Sequence, residues 1–315
     1  MSSHAPPLPD TIKHKKALSY YFKRDWRLLV IIALPFAYYA IFHYAPMFGM
    51  IMAFQNFKAG RGFLRSDFVG LKYFMQFFQS IYFPRVVRNT LLLNVYGLIF
   101  SFPVPIIFAL FLNNIMRLRL KNTIQTIVYF PHFLSSVIVV GMVVNMFSVN
   151  GGVINIIIKQ LGFETHSFLS DPGSFRPLYV GSGIWQSFGF SSIIYLAVIM
   201  GIPQEMYEAA VIDGATRFQT MMRIMLPSIL PTITICLLLQ LGGMMSVGFE
   251  KVFLLYNEST YETADVISTY VYRRGLANAE YSFGAAVGFF NSVVNFTLLI
   301  VFNAVARRVG DTALW

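Results

Sequence analysis

The chain is short of the residues that chemistry in water depends on. Of its 315 residues only 12% are charged, and only 14 are Asp or Glu. A soluble domain carries about 25% charged residues, so an ordinary soluble enzyme is excluded. Cys236 is the one cysteine, which rules out an internal disulfide and a cysteine-based metal site. No Gly-x-x-x-x-Gly-Lys-[Ser/Thr] run is present, so the chain has no such cradle for nucleotide phosphates. His43 and His132 lie in apolar stretches with no Asp, Glu or Cys at ligand spacing. Neither paired carboxylates nor a Ser-His-Asp set can be drawn inside those stretches. The expectation is therefore no catalytic residue, no metal and no cofactor held by this chain. A repeat of 20–50 residues is also missing, as is an inverted repeat, which counts against a secondary transporter.

What the chain does have is apolar length: 56% of residues are hydrophobic and 17% aromatic. Six stretches of 24 to 27 residues contain no Asp, Glu, Lys or Arg: 28–54, 89–113, 123–147, 178–202, 226–249 and 283–306. At 1.5 Å per residue each is long enough to cross a hydrocarbon layer about 30 Å thick. Only helices satisfy their own backbone there, so an all-α membrane protein with six transmembrane helices is predicted. Pro35 and Pro46 are expected to kink the first helix or mark its ends. That helix follows a polar leader, 1–27, and reads as uncleaved.

The net charge of +10 suits cations beside lipid headgroups better than nucleic acid, for which no fold motif is present. With both termini cytoplasmic, thirteen Lys and Arg lie inside and eleven outside. The margin is narrow. Six cations before the first helix, Arg117/Arg119/Lys121 in the tightest loop and Arg307-Arg308 in the 307–315 tail decide it. The first outer loop, 55–88, opposes it: Lys58, Arg61, Arg65, Lys72, Arg85 and Arg88 face Asp67 alone. Attraction of an acidic oligosaccharide is one use for that charge. Headgroup contact, or pairing with Glu250, Glu258, Glu262 and Asp265, is the other. The aromatic segment 68–83 is expected at the outer interface.

One inner loop, 203–226, carries a pattern. Pro203 suits the start of a helix, and Asp213-Gly214 stops it with Gly in the left-handed conformation. Thr216-x-x-Gln219 is a capping box that starts a second helix. Phe218, Met221, Met222 and Met225 form one apolar stripe, and Pro227 opens the fifth span. Ala209 and Ala210 leave a flat face beside Glu208, suited to close approach by a partner. A plain connecting loop is the competing reading.

Glu208-Ala209-Ala210, Gly214 after three residues, and Ile224-x-Leu226-Pro227 after nine more reproduce E-A-A-x3-G-x9-I-x-L-P. At average residue usage such a match in a chain this long arises by chance less than about once in 10^5. The sequence resembles the ABC importer permeases that carry this EAA coupling loop. The segment from Phe68 to Phe74 and the Asn89-Thr90 pair resemble the carbohydrate-uptake branch, in particular maltose- and alginate-like permeases. The resemblance implies a type I importer permease fold with a permease core over 89–306. It implies a second homologous permease, two ATPase subunits that bind ATP and Mg, and an extracytoplasmic solute-binding protein in a bacterial inner membrane. Glu208, Ala209, Ala210, Asp213, Gly214, Ile224, Leu226 and Pro227 become the coupling residues.

Polar groups inside spans need partners or water. Gly183, Ser187 and Phe190 share one helix face, Gln186 lies beside them, and Gln240 and Met244 are i, i+4. Together these six are the candidate pathway for an oligosaccharide, acidic alginate-like ones included. Helix packing is the alternative for each, and is the preferred one for Asn145, Asn291 and Asn295. A permease of the same kind for phosphate, polyamine or peptide is the alternative function, with a secondary transporter behind it.

Overall fold

The computed structural model describes residues 18–309. Of the leader and tail, 1–17 and 310–315 lie outside the described residues. Residues 1–51 and 52–315 form two compact units.

In the first unit a helix runs Leu18–Tyr39. Its non-helical residue is Asp25 (φ −105°, ψ 15°) rather than Pro35, which stays inside the helix. Arg24 grips the Asp25 carboxylate at 2.9 Å through both Nε and Nη2. A wide π turn, Ala40–Tyr44, precedes Pro46. The same device recurs before Pro103 (Gly97–Ser101) and before Pro227 (Met221–Met225). A proline ring clashes with the carbonyl four residues back, and a widened turn relieves that clash without ending the helix.

Among the described residues five helices are long and apolar enough to cross a membrane: Arg24–Phe54, Phe83–Asn113, Pro172–Met200, Arg217–Gly242 and Tyr281–Arg308. Where 123–147 was expected as one span, there is instead a pair, Leu118–Phe133 and Ser136–Phe147, bent by 99°. Pro131 lies in the last turn before the corner, Leu134 is extended, and the Ser135 hydroxyl accepts from Ile138 N–H to restart the helix. The fifth helix also departs from expectation. It runs without a break from the capping box of the 203–226 loop, and it stops at Gly242, seven residues before Phe249. The two-glycine sequence Gly242-Gly243 favours that stop.

No more than 28% of the apolar window of any span is buried within the chain. Helices so apolar and so uncovered require lipid or a partner chain around them. The internal core is divided. At the end of the spans bearing the 203–226 loop, Ile106, Leu110 and Leu112 pack on Tyr195, Leu196 and Ile199 and on Met221, Met225 and Ile229. At the far end Val140, Val143, Phe175 and Leu178 meet Val252 and Leu255. A third cluster joins Phe77 and Val86 to Tyr270, Phe283 and Val287.

That third cluster gives part of the aromatic segment 68–83 a place in the core. A two-stranded pair, Gln55–Asn56 with Asp67–Phe68, leads to the Lys72–Phe78 helix. Phe74 and Phe77 of that helix are buried, and Phe77 packs on Phe83, Phe283 and Phe290. The segment is half core because the Tyr281–Val309 helix supplies an aromatic face for it.

Gly189 sets how closely two helices approach. A Cβ there would stand 2.4 Å from the Val128 carbonyl oxygen and 2.5 Å from Val128 Cγ1. Gly189→Ala is therefore expected to push the Leu118–Tyr129 helix away, at a cost of about 1–3 kcal/mol. Thermal unfolding in detergent measures this. A variant as stable as the parent would show that the helices part freely.

Candidate functional site

The 203–226 loop folds as two short helices joined by a tight corner. Pro203 precedes the helix Gln204–Ile212. Gly214 takes φ +72°, as its place after the helix requires. Its N–H donates to Val211 O at 3.1 Å, and Ala215 N–H reaches back to Ala210 O at 2.9 Å. The capping box is present in both directions, with Gln219 N–H on Thr216 Oγ1 at 3.3 Å and Thr216 N–H on Gln219 Oε1 at 2.7 Å.

One side of this loop is anchored. Met221 and Met225 are buried in the core, and Asn114 and Asn113 point their side-chain amides at the two sulfurs. Tyr207 donates to Ile199 O at 3.4 Å. The stripe is half as wide as expected, because Phe218 and Met222 are exposed. The flat face is also narrower: Ala210 turns inward, while Ala209 is exposed. The outer side presents Glu208, Ala209, Val211, Ile212 and Phe218, and Glu208 makes no ion pair among the described residues. Between the two helices lies a groove of about 440 Å³. Ala209, Ala210, Asp213, Gly214 and Ile224 line it. Leu226 packs on the core beneath, and Pro227 shapes the π turn; neither lines the groove.

Above the loop a larger cavity, about 610 Å³, opens between the second, fourth and fifth spans. Ser187, Phe190 and Gln240 line it together with Phe102, Tyr195 and Cys236. The Phe190 ring stacks on His132, with centroids 3.9 Å apart and planes within 3°. Ser187 donates to Gly183 O at 2.8 Å and keeps its oxygen lone pairs available.

The other three candidates are elsewhere. Gln186 donates to Leu134 O at 3.0 Å. It satisfies the carbonyl freed at the bend of the broken pair, which water does not reach in a bilayer. Met244 lies past the helix end, so its i, i+4 relation to Gln240 is lost. Gly183 faces the Lys251 ammonium. Asn295 holds a turn, accepting from Met245 N–H at 2.8 Å and donating to Ser246 Oγ at 2.9 Å. Phe102 in the cavity lining, His132 against Phe190 and Lys251 beside Gly183 are residues that sequence reasoning did not single out for the site. The sequence offers His132 only as a metal ligand or proton relay, both disfavoured, because its partner Phe190 is 58 positions away.

At the far end of the spans Asp265 ties three elements together. Its Oδ2 accepts from Arg85 at 3.0 Å and from Arg273 at 2.8 Å, and its Oδ1 accepts from Thr269. Asn89 donates to Asp265 O and accepts from Arg176, both at 3.0 Å. Of the six loop cations, Arg85 is thus paired with an acid, and Arg61 lies 3.7 Å from Asp67. Nearby, the Ser174 hydroxyl, Gly173 N–H and His166 hold the Asp171 carboxyl down to about 2 at the head of the fourth span.

These features define a multi-spanning helical membrane protein with a two-helix loop at one end and, above it, a mostly apolar cavity that carries a few polar side chains. The chain belongs to the family of binding-protein-dependent transport system inner membrane components, whose pattern matches residues 101–311. It is 42% identical to protein LplB of Bacillus subtilis, over 93% of this chain and 92% of that one. It is 39% identical to the polygalacturonan/rhamnogalacturonan transport system permease protein YteP of the same organism, over 96% and 94%. The crystal structure of a bacterial ABC transporter involved in import of the acidic polysaccharide alginate contains a chain 44% identical to this one. The two superpose with a TM-score of 0.87 over 93% of this chain and 99% of that chain. The protein is an ABC importer permease of the inner membrane.

Proposed function

We propose that this permease imports oligosaccharides, with uronate-bearing ones as the favoured cargo. It would form the pathway with a second, homologous permease and receive cargo from an extracytoplasmic binding protein. Two ATPase subunits, binding ATP and Mg, would dock on the 203–226 loop, with both termini of this chain on the same, cytoplasmic side. The chain itself is then a conduit and not an enzyme. The observation that carries this reading is the 610 Å³ cavity, in which an amide, serine hydroxyls and the stacked Phe190 ring converge between the two spans joined by the loop. Sugars are held by such hydrogen bonds and by aromatic faces. The polygalacturonan/rhamnogalacturonan and alginate cargoes of its relatives support the acidic class.

The test is Gln240→Leu in the assembled transporter. One hydrogen bond is worth about 0.5–1.5 kcal/mol, so uptake of labelled oligosaccharide is expected to fall roughly two- to twelve-fold. Association with the ATPases remains. Unchanged rate and cargo range would make Gln240 a packing residue.

A further inference from the structure

Lys251 sits on the Phe249–Leu255 helix, in the segment joining the fifth and sixth spans. It is half-buried, and among the described residues no carboxylate forms an ion pair with it within 4 Å. Its Nζ lies 5.1 Å from the centroid of the Tyr179 ring. It is also 3.3 Å from where a Cβ would stand on Gly183, so the glycine makes room for it. Burial pushes its pKa down to about 8, which leaves it mostly charged at neutral pH. Arg85, Arg273 and Arg274, by contrast, each hold an acid.

Its position explains more than its packing does. Tyr179, Gly183, Ser187 and Phe190 fall on one stripe of the Pro172–Met200 helix. Ser187 and Phe190 line the cavity. Gly183 is one turn, about 6 Å, further along the same stripe. The ammonium and the Tyr179 ring therefore lie along the same helix stripe as Ser187 and Phe190, one to two turns beyond the residues that line the cavity. A buried cation without an acid is costly, and an anion arriving from outside the chain would relieve it.

We propose that Lys251 binds a carboxylate of the passing cargo and so selects uronate-bearing over neutral oligosaccharides. The assignment rests on the oligosaccharide reading above.

The experiment compares a galacturonate trisaccharide with its methyl ester in the assembled transporter. A hydrogen bond to a charged group is the strong kind, so Lys251→Met should cut uptake of the acid about ten-fold or more. Uptake of the ester should change less than about two-fold, and Lys251→Arg should retain most of the acid uptake. A second readout needs no variant. In the purified complex the acid, and not the ester, should protect Nζ from reductive methylation, read by peptide mass. Equal loss for acid and ester, unchanged acid uptake in Lys251→Met, or equal protection by both probes would each overturn the assignment. In those cases the parent still imports oligosaccharide and the wider reading stands. A parent that imports neither probe removes the wider reading, and the Lys251 role with it.

Discussion

Gly214→Val is expected to leave the protein in the membrane at normal abundance while uptake falls ten-fold or more. ATP hydrolysis stimulated by the loaded binding protein should fall with it. The cause is conformational rather than steric crowding. Gly214 holds φ +72°, yet nothing lies within 4 Å of where its Cβ would be. A β-branched residue at positive φ carries about 1–3 kcal/mol of strain. The corner has an easy escape: it relaxes to negative φ. That would swing the exposed Gln204–Ile212 helix away from the anchored start of the Arg217–Gly242 helix. The groove between them would lose its shape, while the buried Met221 and Met225 stay in place. Gly214→Asn should be tolerated far better, because Asn enters the left-handed region readily. Uptake and ATPase assays on the three proteins check the order. Normal transport by the valine variant would sink the coupling role of this corner.

The second large effect is one of stability. Asp265 is fully buried, and two guanidiniums share its Oδ2. Asp265→Asn would leave Arg85 and Arg273 facing each other with no anion. Breaking a buried ion pair from one side costs about 3–5 kcal/mol. Both arginine side chains are about 30% exposed, 29% and 30%, so water offsets part of this and the lower end is expected. Removing one of the opposed cations as well, in Asp265→Asn/Arg273→Met, should recover part of the loss. Thermal unfolding in detergent reads both. A single variant losing less than about 1 kcal/mol would place the cluster with ordinary surface pairs.

The 203–226 loop was the most readable part of the chain because its determinants are local. Thr216 and Gln219 are three residues apart and make both capping bonds. Gly214 follows its helix and takes the positive φ that such a position demands. Which side of the loop faces inward was not local. Ala210 is buried and Ala209 is not, since the Ile199 and Met221 layers decide the helix's rotation. Ser187, Phe190 and Gln240 were readable as polar or aromatic residues on helical faces, and the fold brings them to one cavity. Gln186 looked equivalent on the same turn but serves the Leu134 carbonyl. That need exists only because the third stretch breaks.

By itself, the sequence determined that this is a helical membrane protein, where along it the E-A-A-x3-G motif lies, and which family it belongs to. Long uncharged runs and short-range spacings decide those properties, and both are written along the chain. Tertiary structure alone decided the 99° corner after Phe133, the end of the fifth helix at Gly242, the burial of Phe77 and the pairing of Arg85 with Asp265 180 positions away. An apolar run has the same composition whether it is straight or bent. The outcome depends on whether a distant side chain is present to receive the backbone groups or the aromatic face that the bend exposes.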